Sequence, residues 1–454
     1  MQIIIVGLGR TGTVLAAQLS AENNSVTVVD VDAQLVEEFS SRLDIMGIAG
    51  NGASYSVLRE AGIETADVLI AVTETDEFNL LCCLIAKKAG RCRTVARVRS
   101  PVFNQEINFL KQELGLSLVI NTQLAAANEI SRLLKVPSAI EIEPFAGGRA
   151  ELLRFKLKKG SILDGMQLRD LNRSLGTNIL VCAAVRANEI YIPSGTFSLQ
   201  TGDEISIVST PGEALDFLRK AGFDTDQADS TIIAGGGGIS YYLARELLDL
   251  GIYVKIIEKD LKRCEILSEM LPKATIICGD ALDNELLLEE GLLTADSLAA
   301  LTDIDEENIM LSLYTKNISD EKIKTITKVT RITFDDVIGT LDLGSVIVPS
   351  RIIADIIVRY VRALNNSVGS SVETLYKIIG GKAEALEFIV SDDCELIGKS
   401  LSEMNLRENV LIGCINRKGR IIVPQGSDIF EKGDTVIVVT SLPGLDELSD
   451  ISAG

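Results

Sequence analysis

The sequence predicts an α/β chain in which one unit is written twice: a doubly wound parallel-sheet domain followed by a small, β-rich α+β domain. Three observations predict this. Short aliphatic runs rich in Ile and Val alternate with helix-length stretches, as strands covered on both faces require. A glycine cluster follows the first such run in each half. The two halves also superimpose position by position, which marks an internal repeat.

The repeat is read from spacing. Residues 2–12 run QIIIVGLGRTG and residues 231–240 run TIIAGGGGIS. Gly7 and Gly235 stand 228 positions apart (235 − 7), and so do the acidic residues Asp30 and Glu258 (258 − 30) that end the next apolar run. Residues 66–79, ADVLIAVTETDEFN, match residues 295–308, ADSLAALTDIDEEN. Near the end of each half, Ile192-Pro193-Ser194-Gly195 followed by Thr201-Gly202-Asp203 corresponds to Val423-Pro424-Gln425-Gly426 followed by Lys432-Gly433-Asp434. Gly-Asp between apolar strand-length runs is a turn signal, so these stretches belong to small strand-rich modules. The expected limits are 1–136 and 228–365 for the sheet domains and 137–225 and 366–454 for the small ones. A helix with an apolar stripe joins each pair: Leu124, Ala127, Ile130, Leu133 and Leu134 in one half, and Ile352, Ile353, Ile356, Ile357, Tyr360, Val361 and Leu364 in the other. Such a stripe serves either packing within the chain or a contact between subunits.

Composition narrows the function. The 454 residues are 46% hydrophobic but only 4% aromatic, with no Trp, so the cores are aliphatic. The formal net charge of −20 repels nucleic acid and anionic lipid, and no nucleic-acid partner is expected. A phosphate ligand must then be held by local backbone geometry. The eight cysteines include no CxxC spacing, which suits reduced, mostly packing thiols in a cytoplasmic protein. Histidine is absent, which removes the commonest general base and metal ligand, so neither a catalytic nor a metal site is expected. The N-terminus has no targeting pattern, and no apolar run approaches the roughly 18–20 residues of a membrane span.

The glycines carry the chemistry. Gly7-x-Gly9-x-x-Gly12 follows an apolar strand and opens a helix, the Rossmann-like arrangement. Gly7 permits the tight turn, Gly9 lets backbone approach a pyrophosphate, and Gly12 allows close helix packing. The helix N-terminus then offers unpaired N–H donors to the phosphates. Asp30 is placed to accept ribose hydroxyls, and its charge disfavours a 2′-phosphate. In the second half Gly235 and Gly237 keep the spacing, but Ser240 replaces the third glycine and is expected to push the helix slightly outward; Glu258 replaces the aspartate. Thr73-Glu74 and Thr302-Asp303 follow the fourth strand of each sheet and should border the ligand. Arg97 ends the next strand and could reach a phosphate; Lys328 aligns approximately with it.

Gly398-Lys399-Ser400 resembles the end of a P-loop, but position 393, where that loop's first glycine belongs, is Asp. The earlier copy of this stretch, Leu163 to Leu168, lacks the lysine, so it reads as a strand–helix junction. An NAD-dependent oxidoreductase is the alternative that the cofactor fold suggests. It lacks a histidine and a Tyr-x-x-x-Lys pair, and fold alone does not imply catalysis. A purely structural assembly subunit that binds no ligand is the other alternative.

The pattern resembles the Trk potassium-uptake regulators, chains with two RCK units (regulators of potassium conductance), each with a Rossmann-like N-terminal domain and an RCK C-terminal domain. The residues that carry it are GLGRTG with Asp30, GNGAS at 50–54, VLREAG at 57–62, AVTETDEFN at 71–79, RVRSP at 97–101 and GDA at 279–281. The resemblance covers essentially the whole chain. It implies a non-enzymatic subunit on the cytosolic face of a TrkH-type potassium-translocating membrane protein. It implies a homo-oligomer, a tetrameric ring of eight RCK units, that binds NAD(H) and also ATP or ADP. Carried over by position, the cofactor-binding residues are Gly7, Leu8, Gly9, Arg10, Thr11, Asp30, Thr73, Glu74 and Arg97 in the first site. In the second they are Gly235, Gly236, Gly237, Gly238, Ile239, Glu258, Thr302 and Asp303.

Overall fold

Parallel strands buried on both faces need apolar side chains along their whole length, and the first half supplies them. In the computed structural model Ile3 to Val6 and Val68 to Ala71 are buried without a break. The structure describes all residues except 102, 104–105, 188, 321, 332–340, 367–371, 380–382, 392–393, 443–444, 446 and 453–454. Asp393, which argued against the P-loop, lies outside the described residues.

The first domain alternates β1 (Gln2–Val6), α1 (Arg10–Ala21), β2 (Ser25–Asp30), α2 (Ala33–Leu43), β3 (Met46–Ala49), α3 (Tyr55–Glu60), β4 (Val68–Ala71), α4 (Asp76–Ala89), β5 (Arg93–Arg97), α5 (Ile107–Glu113), β6 (Leu118–Ile120) and α6 (Thr122–Lys135). A small domain follows: β7 (Ala139–Phe145), β8 (Ala150–Lys156), α7 (Leu168–Leu175), β9 (Leu180–Arg186), β10 (Glu189–Tyr191), β11 (Glu204–Ser209) and α8 (Pro211–Lys220). The second half repeats the first as β12 (Ser230–Ala234), α9 (Gly238–Asp249), β13 (Tyr253–Glu258), α10 (Leu261–Met270), β14 (Thr275–Cys278), α11 (Asn284–Glu289), β15 (Ser297–Ala300), α12 (Asp305–Ile318), β16 (Lys324–Lys328), β17 (Ser345–Ile347) and α13 (Pro349–Asn366). It ends in β18 (Val372–Ile378), β19 (Ala383–Ile389), β20 (Val410–Arg417), β21 (Arg420–Ile422) and β22 (Thr435–Thr440).

Both large sheets are parallel and carry the same order, β3-β2-β1-β4-β5-β6 and β14-β13-β12-β15-β16-β17. The order reverses between β1 and β4 and between β12 and β15, which opens a crevice at the carboxyl ends of the strands. The small domains hold antiparallel sheets that also share one order, β10-β9-β11-β8-β7 and β21-β20-β22-β19-β18.

The domains gather by kind. Met1–Ser131 and Asp229–Val361 form one compact unit; Arg132–Ala228 and Arg362–Gly454 form another. Within the first unit Gln18 of α1 hydrogen-bonds Asp355 of α13 at 3.3 Å. On α13 the stripe splits: Ile353, Ile357 and Val361 are buried, while Ile352, Ile356 and Tyr360 are half-buried. Within the second unit the two antiparallel sheets share an aliphatic core. Phe145, Leu152, Cys182 and Val208 from one sheet pack with Ile378, Ala385, Cys414 and Ile437 from the other. Phe145 meets Tyr376 edge to face, with ring centroids 4.4 Å apart.

The repeated Gly-Asp turn has a specific use. Asp203 and Asp434 are both 1% exposed and each receives a forked guanidinium, Arg186 at 2.7 and 2.8 Å and Arg417 at 2.8 and 2.9 Å. Backbone N–H groups of Gln200 and Glu431 complete the shells at 2.8 and 2.9 Å. The copies differ elsewhere. Leu163 to Leu168 leads into α7, as expected, but Gly398 to Met404 forms turns pinned by isolated bridges of Ile397 to Phe430 and Ser400 to Ile429. The expected helix junction exists in the first copy alone. Removing either buried carboxylate strands an Arg fork and a backbone donor, so Asp203→Ala should destabilise its domain by about 2 kcal/mol. Hydrogen exchange of the β9 and β11 amides in urea measures this.

Candidate functional site

The candidate residues converge at the carboxyl ends of the strands flanking the switch point. Gly7 to Thr11 form the β1–α1 turn, Asp30 ends β2, Thr73 and Glu74 follow β4, and Arg97 ends β5. Gly235 to Ile239, Glu258, and Thr302 with Asp303 take the same places in the second half. The two turns are conformational copies. Gly7 and Gly235 have φ of 101° and 97°, in the left-handed region where a Cβ is strained. A Cβ on either would also lie 3.0 Å from Thr73 or Thr302. Gly9 and Gly237 cap their helices at φ −66° and −69° with no side-chain cap, and both face open space. The helix N–H groups therefore stay available to an anion.

Each acidic residue grips its own turn. One oxygen of Asp30 accepts from the Leu8 amide at 2.6 Å and the other from Asp32 N at 3.1 Å. Glu258 accepts from Gly236 N at 2.6 Å and from Asp260 N at 2.8 Å. Carboxylate oxygens accept more than one bond, so ribose hydroxyls can still be received. The side chains of Leu8 and Thr11 are buried, so these residues can serve a ligand only through backbone; Arg10 is exposed.

A third layer was not foreseen from the sequence. Asn79 is fully buried and takes both the amide and hydroxyl of Thr73, at 2.8 and 2.7 Å, while donating to the carbonyls of Thr73 and Arg97. Asn308 receives the Thr302 amide at 2.8 Å and donates to Thr302 and Lys328 carbonyls at 3.0 Å. Asp76 receives the amides of Arg99 and Ser100, and Asp305 those of Thr330 and Arg331. The pattern T-x-x-D-x-x-N at 73–79 and 302–308 ties the loop after one strand to the end of the next. Its recurrence was the available signal. It also places Lys328 in register with Arg97.

The cations differ between sites. The Arg97 guanidinium donates to the Thr73 carbonyl, but its Nε is buried without an acceptor. Burial and the neighbouring Arg99 lower its pKa to about 10. A buried N–H without an acceptor fits an anionic group in the crevice. Lys328 is buried, and its ammonium lies 3.2 Å from the carboxylate of exposed Asp303.

Ser240 has a place of its own in the second turn. It is fully buried and its hydroxyl donates to the Gly235 carbonyl at 2.6 Å, bracing the turn. The two helices start with nearly identical cap torsions, so the turn survives the exchange. The first half also completes the second site. A Cβ on Gly238, the position that Arg10 has in the other copy, would fall 2.1 Å from the Gln123 carboxamide of α6. Beside it, Asn121 donates to the hydroxyl of buried Tyr242 at 3.0 Å, and that hydroxyl donates to the Arg99 carbonyl at 3.3 Å.

Residues 3–122 and 231–349 match the TrkA-N domain, and residues 152–222 and 385–453 match the TrkA-C domain. A relative from Archaeoglobus fulgidus, a Trk system potassium uptake protein TrkA homolog, is 33% identical over 99% of this chain and 100% of its own length. The chain belongs to the TrkA family. The Trk system potassium uptake protein TrkA of Halomonas elongata is 32% identical over 96% of this chain and 95% of its own. Among solved structures, the GsuK channel bound to NAD covers 97% of this chain and 76% of its own, with a TM-score of 0.62 at 16% identity. The GsuK RCK domain covers 96% and 92% with a TM-score of 0.61. At that identity the likeness establishes the RCK fold, two Rossmann-like domains each followed by an RCK C-terminal domain.

Two glycines separate contact with backbone from contact with the end of a side chain. A Cβ at position 12 would lie 1.8 Å from the Gly7 carbonyl oxygen, which is backbone, so the helix must shift to admit it. Gly12→Ala should therefore destabilise the chain by about 2 kcal/mol. Gly238→Ala meets only the mobile end of Gln123 and should stay within about 0.5 kcal/mol of the parent. Thermal denaturation of the two variants side by side checks the contrast.

Proposed function

We propose that the chain is the nucleotide-sensing regulatory subunit of a potassium-uptake system and acts on a TrkH-type membrane subunit. The observation that carries this reading is the duplicated cradle. Each copy has a glycine turn with a helix N-terminus facing open space, an acidic residue bonded to that turn, and a cation, half-buried Arg97 or buried Lys328, ending the fifth strand. In the first site Gly9 and the amides of α1 would hold a pyrophosphate, Asp30 would receive the ribose hydroxyls, and Arg97 would meet phosphate charge. In the second site Gly237, Glu258 and Lys328 take those parts, with the Gln123 carboxamide beside the helix start. NAD(H) suits the first site. The second, with a shorter cation and a longer carboxylate, suits NAD(H) or an adenine nucleotide such as ATP or ADP.

A regulator needs no catalytic group, and the carboxylates of Asp30 and Glu258 are engaged in holding the backbone of the turns. Among the described residues no helix is long and apolar enough to cross a membrane, so the partner would supply the pore. The names of the relatives support a potassium-uptake system, and the RCK fold supports assembly into a ring, which we take as a homotetramer of eight RCK units at the inner face of the membrane. Regulation then follows from linkage. A nucleotide that binds two ring states unequally shifts their populations by that difference alone. Couplings of about 1–3 kcal/mol change the equilibrium by roughly 5–150-fold.

Isothermal titration of NADH into the purified chain tests the placement. Asp30→Asn keeps one acceptor for Leu8 but removes the charge, and should weaken NADH at least tenfold, about 1.4 kcal/mol. The intact carboxylate should also make NADPH at least tenfold weaker than NADH. Gly9→Ala adds a methyl group where nothing lies within 4 Å, so it should leave thermal stability unchanged while abolishing first-site binding. Unchanged affinity in both variants would remove the first site from this reading. A steady turnover of NADH with added keto acids would favour the dehydrogenase instead.

A further inference from the structure

The second half holds two thiols that its counterpart lacks. Cys278 ends β14 and is exposed; in the parallel ladder it is the direct partner of Glu258. Cys264 lies in the first turn of α10, is buried, and donates its thiol hydrogen to the Glu258 carbonyl at 3.2 Å. Both cysteines are thus gathered around one residue, Cys278 as the ladder partner of Glu258 and Cys264 through its carbonyl. In the first half Val36 occupies the helix position, and Ala49, the ladder partner of Asp30, occupies the strand position. The pair is therefore not a requirement of the fold. Cys182 and Cys414 offer a contrast, since both are sealed in the core of the antiparallel sheets.

What surrounds the pair gives it consequence. The same helix turn carries Arg263, whose Nε donates to the Gly236 carbonyl at 2.7 Å. Leu267, one turn on, fills the space beside Gly236, where a Cβ would come within 2.6 Å of it. The second glycine turn thus rests on α10.

We propose that Cys264 and Cys278 are a reversible, peroxide-sensitive dithiol whose disulfide braces α10 against β14 beneath the second glycine turn. Cys278, being exposed, meets the oxidant. Its thiolate attacks a peroxide oxygen, an S–O bond forms, the O–O bond breaks, and the leaving hydroxide departs as water. The Cys264 sulfur then attacks the sulfenyl sulfur, the S–S bond forms, and hydroxide leaves with the Cys264 proton as a second water. Two thiols lose two electrons and one hydrogen peroxide becomes two waters. Burial, and then the neighbouring thiol, push Cys264 up to about 11, which suits a thiol that resolves rather than initiates. A small dithiol reverses the bond by exchange. That the brace alters nucleotide binding rests on the proposed function; the bond itself does not.

The full chain is treated with hydrogen peroxide, alkylated, digested with trypsin and read by mass spectrometry, alongside Cys278→Ser and Cys264→Ser. The expected result is a linked pair of peptides 264–273 and 274–316, two hydrogens lighter than their sum, lost with dithiothreitol and absent from both variants. Hydrogen exchange needs no ligand and should slow across residues 235–240 and 261–267 in the oxidised parent, with residues 33–43 unchanged. Two separately alkylated or over-oxidised cysteines without a linked pair would overturn the disulfide. A linked pair without slowed exchange would overturn the brace. Neither outcome depends on whether NADH binds.

Discussion

One hydrogen bond, made twice, sets the geometry on which both candidate sites depend. A carboxylate at the end of the second strand reaches back to an amide of the glycine turn, at 2.6 Å in each copy. It pins the turn while Gly7 or Gly235 holds a positive φ, and so aims the start of the following helix into the crevice. A charge-assisted bond of this kind is short and strong. It also fixes the acidic residue in place before a ligand arrives, which lowers the ordering cost of binding. The side chain that would recognise a ribose is the one that shapes the phosphate cradle.

The second dependence is between copies. Asn121, Gln123 and the Arg99 carbonyl of the first half abut Tyr242 and Gly238 of the second. The start of α9 is therefore built from both halves, whereas α1 begins with its own Arg10. Duplication thus produced two cradles with the same backbone and different furniture: Arg97 against Lys328, Gly12 against Ser240, Asp30 against Glu258.

Much of this was legible in the sequence because it depends on backbone. The glycine spacing, the acidic residue at a fixed offset and the alternation of aliphatic runs with helices each reflect a local constraint, and the repeat doubled every signal. What escaped depends on contacts between distant residues or on the use of one atom. Asn79 and Asp76 look like ordinary polar residues at an exposed helix start, yet both are buried in a clamp. Ser240 looked like a simple loss of glycine, but its hydroxyl meets the Gly235 carbonyl. Gln123 gave no signal, because its neighbour Gly238 is far away in the chain. The missing helix after Gly398 shows the limit of reading one copy from the other.

The most direct measurement is hydrogen exchange on the full chain with and without saturating NADH. The account predicts slowed exchange at the turn amides of residues 7–12 together with Asp30 and the 73–79 loop, while the strands of the antiparallel sheets stay unchanged. Exchange identical with and without NADH at both glycine turns, residues 7–12 and 235–240, would contradict it.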